Sequence, residues 1–458
     1  MTGDLSLIVD TMRRGGIDQA AIDVFCHHYH SLVAGDDGII HETDIAPHDM
    51  AALRDQSVPD EVAARALACT AVIKLNGGLG TSMGLARAKS LLRARDELTF
   101  LDLIARQVLA LRRRHGVPLP IIFLNSFRTS RDTLEALGRY PDLGVEGTPL
   151  EIVQNRVPKL RADDLTPVQW PHDPSLEWCP PGHGDLYTVL HATGLVDTLL
   201  DLEFTQAFVS NSDNLGARAD PRVAGWFAQT GAPFAIEAVR RTANDRKGGH
   251  FARRRSDGRI VLRETAQTAP EDRARLADLE RHSFASTNNI WFDLAAMQTM
   301  LRTHRGVLRL PLIKNVKTVD PADAASPRVI QLETAMGAAI ELFDGAQTIE
   351  VGRDRFIPVK TVDDLLVLRS DCYRLDDDAV LHQTCSPLPN IELGPAYTLI
   401  EQFEARLPYG PPSLVDATSF VVEGDWTFGE RVRVVGAARL GPGRGTIPSG
   451  AVLKGRAR

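Results

Sequence analysis

Short, mainly apolar runs alternate with stretches of helical periodicity through the middle of this chain of 458 residues. Residues 71–75, 121–124, 151–153, 207–209 and 234–236 are apolar at consecutive rather than alternate positions apart from Lys74 and Glu151, so they read as buried strands. Helical patterns separate them, which predicts a three-layer α/β domain with a mixed, mostly parallel, Rossmann-like sheet over residues 71–378. Ahead of it, Leu5, Ile8, Val9 and Met12 recur at helical spacing, Gly15-Gly16 breaks the run, and Ile17, Ala21 and Val24 begin a second amphipathic stretch. Residues 1–70 are therefore expected to form a helical accessory region. Beyond residue 378 the pattern changes: Cys385-Ser386-Pro387-Leu388-Pro389 reads as a linker. Short apolar runs at 420–422, 434–435 and 452–453 follow, punctuated by Gly424, Gly429, Gly436, Gly441 and Gly450, and predict a small β domain over 379–458.

Polar motifs sit directly after the apolar runs. Asn125-Ser126 follows the first crossover strand, Gln154-Asn155 the next, Asn211 to Asn214 the third, and Glu237 the fourth. In open α/β sheets ligands bind at the carboxyl ends of strands, so this repeated placement points to one shared site. Within it the stretch LNGGLGTSMG, from Leu75 through Asn76, Gly77, Gly78, Leu79 and Gly80 to Gly84, carries too little side chain to do anything but turn sharply or approach a ligand closely. Leu91, Leu92, Leu98, Leu101, Leu103, Ile104 and Val108 then suggest a helix from about Leu85, a strand–loop–helix order that suits an anion. Two familiar phosphate loops fail. A P-loop needs glycine at Ala88 and Met83 around Lys89, and a dinucleotide fingerprint needs glycine at Met83, although Glu97 stands near the acidic position. A plain tight turn fits this loop as well as a phosphate cradle does.

Other motifs carry recognisable chemistry. Gln154, opening QNRVPK, has an amide that donates and accepts at once, as the edge of a uracil requires, and a helix-capping loop is the plainer reading. PPGHGD, Pro180 to Asp185, flanks His183 with Gly182 and Gly184, so backbone can lie flat against a planar ring. Asp213 ends a buried strand, where a carboxylate is costly unless it meets a cation or several donors, as in an Asx turn. Lys247-Gly248-Gly249 and Thr287-Asn288-Asn289 offer a charge and amides suited to sugar hydroxyls. Glu333 is a positioning group, and Lys360 follows Pro358 in a stiff segment that could aim its ammonium at an anion.

Charge and cysteine content narrow the classes. With 52 basic and 59 acidic residues the net charge is −7, against a nucleic-acid binder held by phosphate neutralisation. No stretch has the length of a membrane span and no signal-peptide charge pattern opens the chain, so no membrane partner and a cytoplasmic location are expected. Five scattered cysteines with no CxxC support neither a zinc ribbon nor a disulfide framework. Cys26 and His30, one helical turn apart, are half a metal site, and packing on an apolar helix face is the simpler reading.

The loop LNGGLGTSMG with Lys89-Ser90 resembles the nucleotide-binding loop of the eukaryotic-type UTP–glucose-1-phosphate uridylyltransferases, and the resemblance continues through most of the chain. It implies uridine contacts at Gln154 and Gly182 beside His183, and a Mg²⁺ and phosphate-side role for Asp213. It also implies sugar-phosphate contacts at His183, Asn214, Lys247, Gly248, Asn288, Glu333 and Lys360, with Lys89 and Lys360 as the catalytic cations. The C-terminal domain is then β-helix-like and a route to homo-oligomers. The implied substrates are UTP and a sugar 1-phosphate, glucose 1-phosphate first, with galactose 1-phosphate and N-acetylhexosamine 1-phosphate as alternatives. The attacking phosphate is already largely dianionic near neutrality, so no general base is required and His183 is discounted as one. Arg87-Ala88 stands where many members carry Gly-Pro, and Arg246 is another variable position. From other classes, a nicotinamide-dependent oxidoreductase and a catalytically silent UDP-sugar sensor remain open on the residues alone.

Overall fold

In the computed structural model, which describes residues 5–36, 38–85, 87–242, 245, 248–321 and 323–457, the consecutive apolar runs become strands, covered on both sides except at the edge strand Glu151–Val153. The central path comprises β1 (Ala51–Ala52), β2 (Thr70–Asn76), β3 (Ile121–Asn125), β4 (Glu151–Val153), β5 (Gln206–Asn211), β6 (Phe234–Arg240), β7 (Phe284–Asp293) and β8 (Gln347–Glu350). Their order is β1-β8-β6-β7-β5-β2-β3-β4. All neighbours run parallel except β7, which is antiparallel to both β5 and β6. Alternate residues serve opposite cores. Val72, Phe123, Phe208 and Trp291 face the helices Phe100–His115, Pro221–Thr230 and Val362–Arg369, whereas Ile73, Ile122, Val209 and Ile290 face Leu186–Thr193, Leu195–Asp201 and Leu294–His304.

The path of the chain places a crevice in this sheet. From β2 it moves outward to β3 and β4, then returns to β5 on the other side of β2 and continues toward β6. The carboxyl ends of β2 and β5 therefore flank a topological switch point, where loops diverge and leave room for a ligand.

Two features of the sheet depart from the sequence reading. The helix expected from Leu85 begins only at Phe100; a 3₁₀ turn at Lys89–Leu91 and the short antiparallel pair Arg93–Arg95 and Leu98–Thr99 intervene. That helix is closed by its own capping box, Thr99 with Asp102, so its N-terminal N–H groups are not turned toward a ligand. Glu237 is not at a strand end. It sits fully buried within β6, accepts from Arg355 Nε at 2.7 Å and Nη2 at 2.6 Å, and also takes Trp291 Nε1–H and Asn289 Nδ2–H. Glu237 holds the guanidinium of Arg355 well above its ordinary pKa against the opposing effect of burial.

The N-terminal stretch is helical at Leu5–Arg14, Gln19–Val33 and Asp60–Ala68, and it also supplies β1 and the strand Ile45–Pro47, which pairs with His250–Arg254. Strands of two or three residues carry no periodicity by which to find them. In Gln19–Val33 the face bearing Phe25, His28 and Tyr29 is buried, in a cluster with Val157, Cys179, Ile330 and Leu332. At the other end, Ala417–Val422, Arg433–Leu440 and Val452–Ala457 form one parallel ladder with Asn390–Leu393, while the intervening Asp425–Phe428 and Arg444–Ile447 form a second. Successive strands thus alternate between two ladders. Their interior, Phe420, Phe428, Val434 and Leu440, is continuous with the core that contains Leu365 and Leu366. No helix among the described residues is long and apolar enough to cross a membrane.

Removing one partner of the Glu237–Arg355 pair strands a buried charge. Arg355→Ala is expected to lower unfolding stability by about 3–5 kcal/mol, read from denaturant midpoints at constant m.

Candidate active site

The backbone turns sharply where β2 ends, and the turn is zipped to the segment that follows it. Leu79 forms an antiparallel bridge with Ala88, and Lys89 N–H donates to Gly78 O at 3.1 Å. This fold-back carries Lys89 over the end of β5, where its Nζ lies 2.7 Å from Asp213 Oδ2. The pair is partly shielded, with side chains 17% and 26% exposed, so water weakens it less than it would a surface pair. The main chain of Asp213 and Asn214 in turn holds the 358–360 segment, through Val359 N–H to Asp213 O at 3.0 Å and a bridge between Asn214 and Pro358.

A cleft of about 550 Å³ opens beside this pair. Leu75 to Leu79, Lys89 and Asp213 line one part of it, and Gln154, Gly182, His183 and Glu333 another. The sequence motifs of β2, β4 and β5 do converge. Gln154 is the link between two of them: its Nε2 donates to Gly182 O at 3.3 Å, and a Cβ on Gly77 would lie 2.2 Å from its Oε1. Gly182 is held at φ +82°, with the place of a Cβ only 2.5 Å from Thr334 O, so no larger residue fits. Gly78, by contrast, has nothing within 4 Å of the place a Cβ would take. Its bare backbone borders the cleft.

His183 accepts the N–H of Met336 at its Nδ1, at 3.0 Å, and burial pushes its pKa down to about 4. A neutral ring whose Nδ1 is an acceptor carries its proton on Nε2, so this side chain is a donor near neutral pH. Behind it Asp185 is buried, pushed up to about 6 by desolvation, and accepts both N–H and Nδ2–H of Asn155 at 2.7 and 2.9 Å.

Several expected contacts lie elsewhere. Asn76 borders the cleft, while its amide nitrogen donates to Asn125 and Thr133 inside the fold. Asn214 is buried: its Oδ1 accepts from Ile357 and Gly216 and its Nδ2 donates to Arg355 O, so it braces the scaffold instead of facing a ligand. Asn288, at φ +59°, donates to Asn211 Oδ1 at the cleft margin. Gly248 belongs to a turn closed on Asp245 O, and Gly80 packs against Leu85; Lys247 lies outside the described residues. Lys360 is exposed and does not line the cleft; burial raises the pKa of Glu264, and the charge of Lys360 opposes that rise without cancelling it. Three basic residues of the cleft wall were not singled out from sequence: Arg128, Lys159 and Lys317. Lys317 pairs with Glu333 at 3.8 Å, and Lys159 donates to Val319 O with its pKa lowered by burial. Their positions in ordinary loop and strand contexts carry no local signal.

This architecture has close counterparts. The family model described as UTP–glucose-1-phosphate uridylyltransferase matches residues 22–434. Proteins so named from Saccharomyces cerevisiae and Hordeum vulgare are each 36% identical, over 84% of this chain and 77% and 80% of their own lengths respectively. Among solved structures, a mutant UDP-glucose pyrophosphorylase of Leishmania major in complex with UDP-glucose aligns over 100% of this chain and 99% of its own, at 39% identity and a TM-score of 0.93. The Trypanosoma brucei structure described as UDP-glucose phosphorylase aligns over 98% of each chain, with 40% identity and a TM-score of 0.91. With the profile spanning most of its length and relatives matched nearly end to end, the chain belongs to the UTP–glucose-1-phosphate uridylyltransferase family.

Proposed function

We propose that the chain joins UTP to glucose 1-phosphate, reversibly, giving UDP-glucose and pyrophosphate. The observation that carries this reading is the Lys89–Asp213 pair, 2.7 Å apart at the switch point and bordered by the bare backbone of Gly77 to Leu79. An amide reader stands across the cleft from it. In this reading Gln154 and the main chain of Gly182 meet the uracil edge, and Leu75 to Gly80 approach the ribose and phosphates. Glucose is favoured over galactose or N-acetylhexosamine because the yeast and barley relatives carry glucose in their names.

The reaction brings two anions into line. The phosphate oxygen of the sugar 1-phosphate attacks the α-phosphorus of UTP, and the bond to pyrophosphate breaks. The attacking group needs no proton removed, and His183, holding its proton on Nε2, is placed to donate to substrate rather than to act as base. The work left to the protein is alignment and the screening of repulsion. We assign this to Lys89 on the nucleotide phosphates and to Lys360 on the sugar phosphate. Gly248, Asn288 and Glu333 are assigned to the sugar side, together with Lys247.

A divalent ion fits the same place. Among the described residues no three His, Cys, Asp or Glu side chains converge as a protein-only cage. That suits Mg²⁺, which is commonly held by one or two carboxylates with substrate phosphates and water completing the shell. Asp213 would hold it, and the ion when bound supplies neutralisation of phosphate charge. We further propose the division into a 1–70 accessory region, a 71–378 catalytic domain and a 379–458 β-helix-like domain that mediates assembly, in a cytoplasmic enzyme.

Pyrophosphate release measured over a panel of nucleoside triphosphates and sugar 1-phosphates tests the reading: UTP with glucose 1-phosphate and Mg²⁺ should be preferred, and chelation should abolish turnover. Robust turnover under full chelation, or none with any pair, contradicts it. Lys89→Ala should lower kcat by about 10²–10³, the typical loss for one preorganised charge, with UDP-glucose binding still measurable by calorimetry. Near-wild-type kcat would remove Lys89 from the mechanism.

A further inference from the structure

Asp185 touches no part of the cleft surface, yet both of its carboxylate oxygens are committed to one residue of the cleft's base-reading loop. Oδ2 accepts Asn155 N–H at 2.7 Å and Oδ1 accepts Asn155 Nδ2–H at 2.9 Å. Its own N–H donates to Gly182 O at 3.3 Å. That same Gly182 oxygen takes the Nε2–H of Gln154. A closed ring of contacts therefore runs Asp185, Asn155, Gln154, Gly182 and back to Asp185.

The surroundings make a carboxylate an expensive choice here. Asp185 is 6% exposed and shares a small cavity with Ala21, Phe25, Val157, Tyr187, Leu308 and His28, whose Nε2 has no partner. Among the described residues no cation pairs with it. Packing alone would be served at lower cost by a neutral side chain. What a carboxylate supplies is two acceptor oxygens in a fixed fork, matched to two donors of one residue, with charge-assisted strength. An asparagine of the same size presents one acceptor and one donor, and would leave one Asn155 N–H unmatched.

We infer that Asp185 is a positioning residue for base recognition, fixing the 154–155 turn so that the Gln154 amide is held in one orientation against Gly182. With Nε2 bound to the Gly182 carbonyl, Oε1 is set on the Gly77 side and cannot exchange places with the amide nitrogen. An amide free to flip could serve either uracil or cytosine, whose edges interchange donor and acceptor. An amide held in place serves one. This inference rests on the reading of Gln154 as the uracil contact given above.

The test compares UTP with CTP in steady-state pyrophosphate release. Asp185→Asn should raise KM for UTP and lower the UTP-over-CTP ratio of kcat/KM, each by roughly tenfold, while kcat at saturating UTP changes by less than about threefold. Asn155→Ala should shift the ratio in the same direction, and it serves if Asp185→Asn does not fold. Gln154→Leu is the control for the underlying reading. If Gln154→Leu collapses the ratio while the folded Asp185 and Asn155 variants keep it, the positioning role is overturned and the base contact stands. If Gln154→Leu leaves the ratio unchanged, the base contact itself is wrong. A fall in kcat with KM and the ratio unaltered would also overturn the inference, since general loosening of the fold predicts that pattern.

Discussion

An ion pair joins the two halves of the sheet's crevice. Lys89 belongs to the loop after β2, Asp213 to the loop after β5, and their 2.7 Å contact spans the point at which the chain changes direction through the sheet. Without a ligand the two charges neutralise each other in a partly shielded place. A nucleoside triphosphate changes that balance, because it brings several negative charges to a lysine already committed to a carboxylate. The Lys89 ammonium has donors left for a phosphate beside the one that Asp213 takes. In the proposed reaction that pair would set a lysine against phosphate charge and leave a carboxylate for a divalent ion at one site.

The segment that leads to Lys360 is tied to the strand end that carries Asp213. Glu237 and Arg355 are linked inside the sheet, Asn214 grips Arg355 O and the N–H of Ile357, and Asp213 O takes the N–H of Val359. The segment leading to Lys360 is thus tied at successive residues to the strand end that presents Asp213. Asn214 has no polar atom left for a ligand, and its value lies in that bracing. A buried ion pair adds little net stability by itself, but severing it is costly, which suits an element that must not drift.

The sequence made the strands legible because both faces of the sheet are covered, so apolar residues run consecutively at 71–73, 121–124, 207–209 and 234–236. It made Gly77, Gly78, Gln154 and Asp213 legible because they follow strand ends, and Lys89, Gly182 and His183 legible through their own motifs, and the structure brings all of these to one cleft. Side-chain direction was not legible. Asn76, Asn214 and Glu237 occupy motif positions yet point into the scaffold, since whether an amide or carboxylate turns inward depends on partners more than 45 residues away in sequence. Of the periodicity after Leu85, Leu101, Leu103, Ile104 and Val108 do lie on the helix, while Leu91, Leu92 and Leu98 belong to a 3₁₀ turn and a short hairpin that pack leucines without forming a helix. Arg128, Lys159 and Lys317 reach the cleft from separate loops and strands, a convergence that spacing along the chain does not encode.

The central proposal is that Lys89, paired with Asp213 here, meets a phosphate of the bound nucleotide. A crystal structure of this chain with UDP-glucose and Mg²⁺ measures it directly. The account predicts Lys89 Nζ within about 2.7–3.2 Å of a diphosphate oxygen, the range of a charge-assisted hydrogen bond. A diphosphate bound in the cleft with Lys89 still paired to Asp213 alone, and no phosphate oxygen in reach of Nζ, would contradict it.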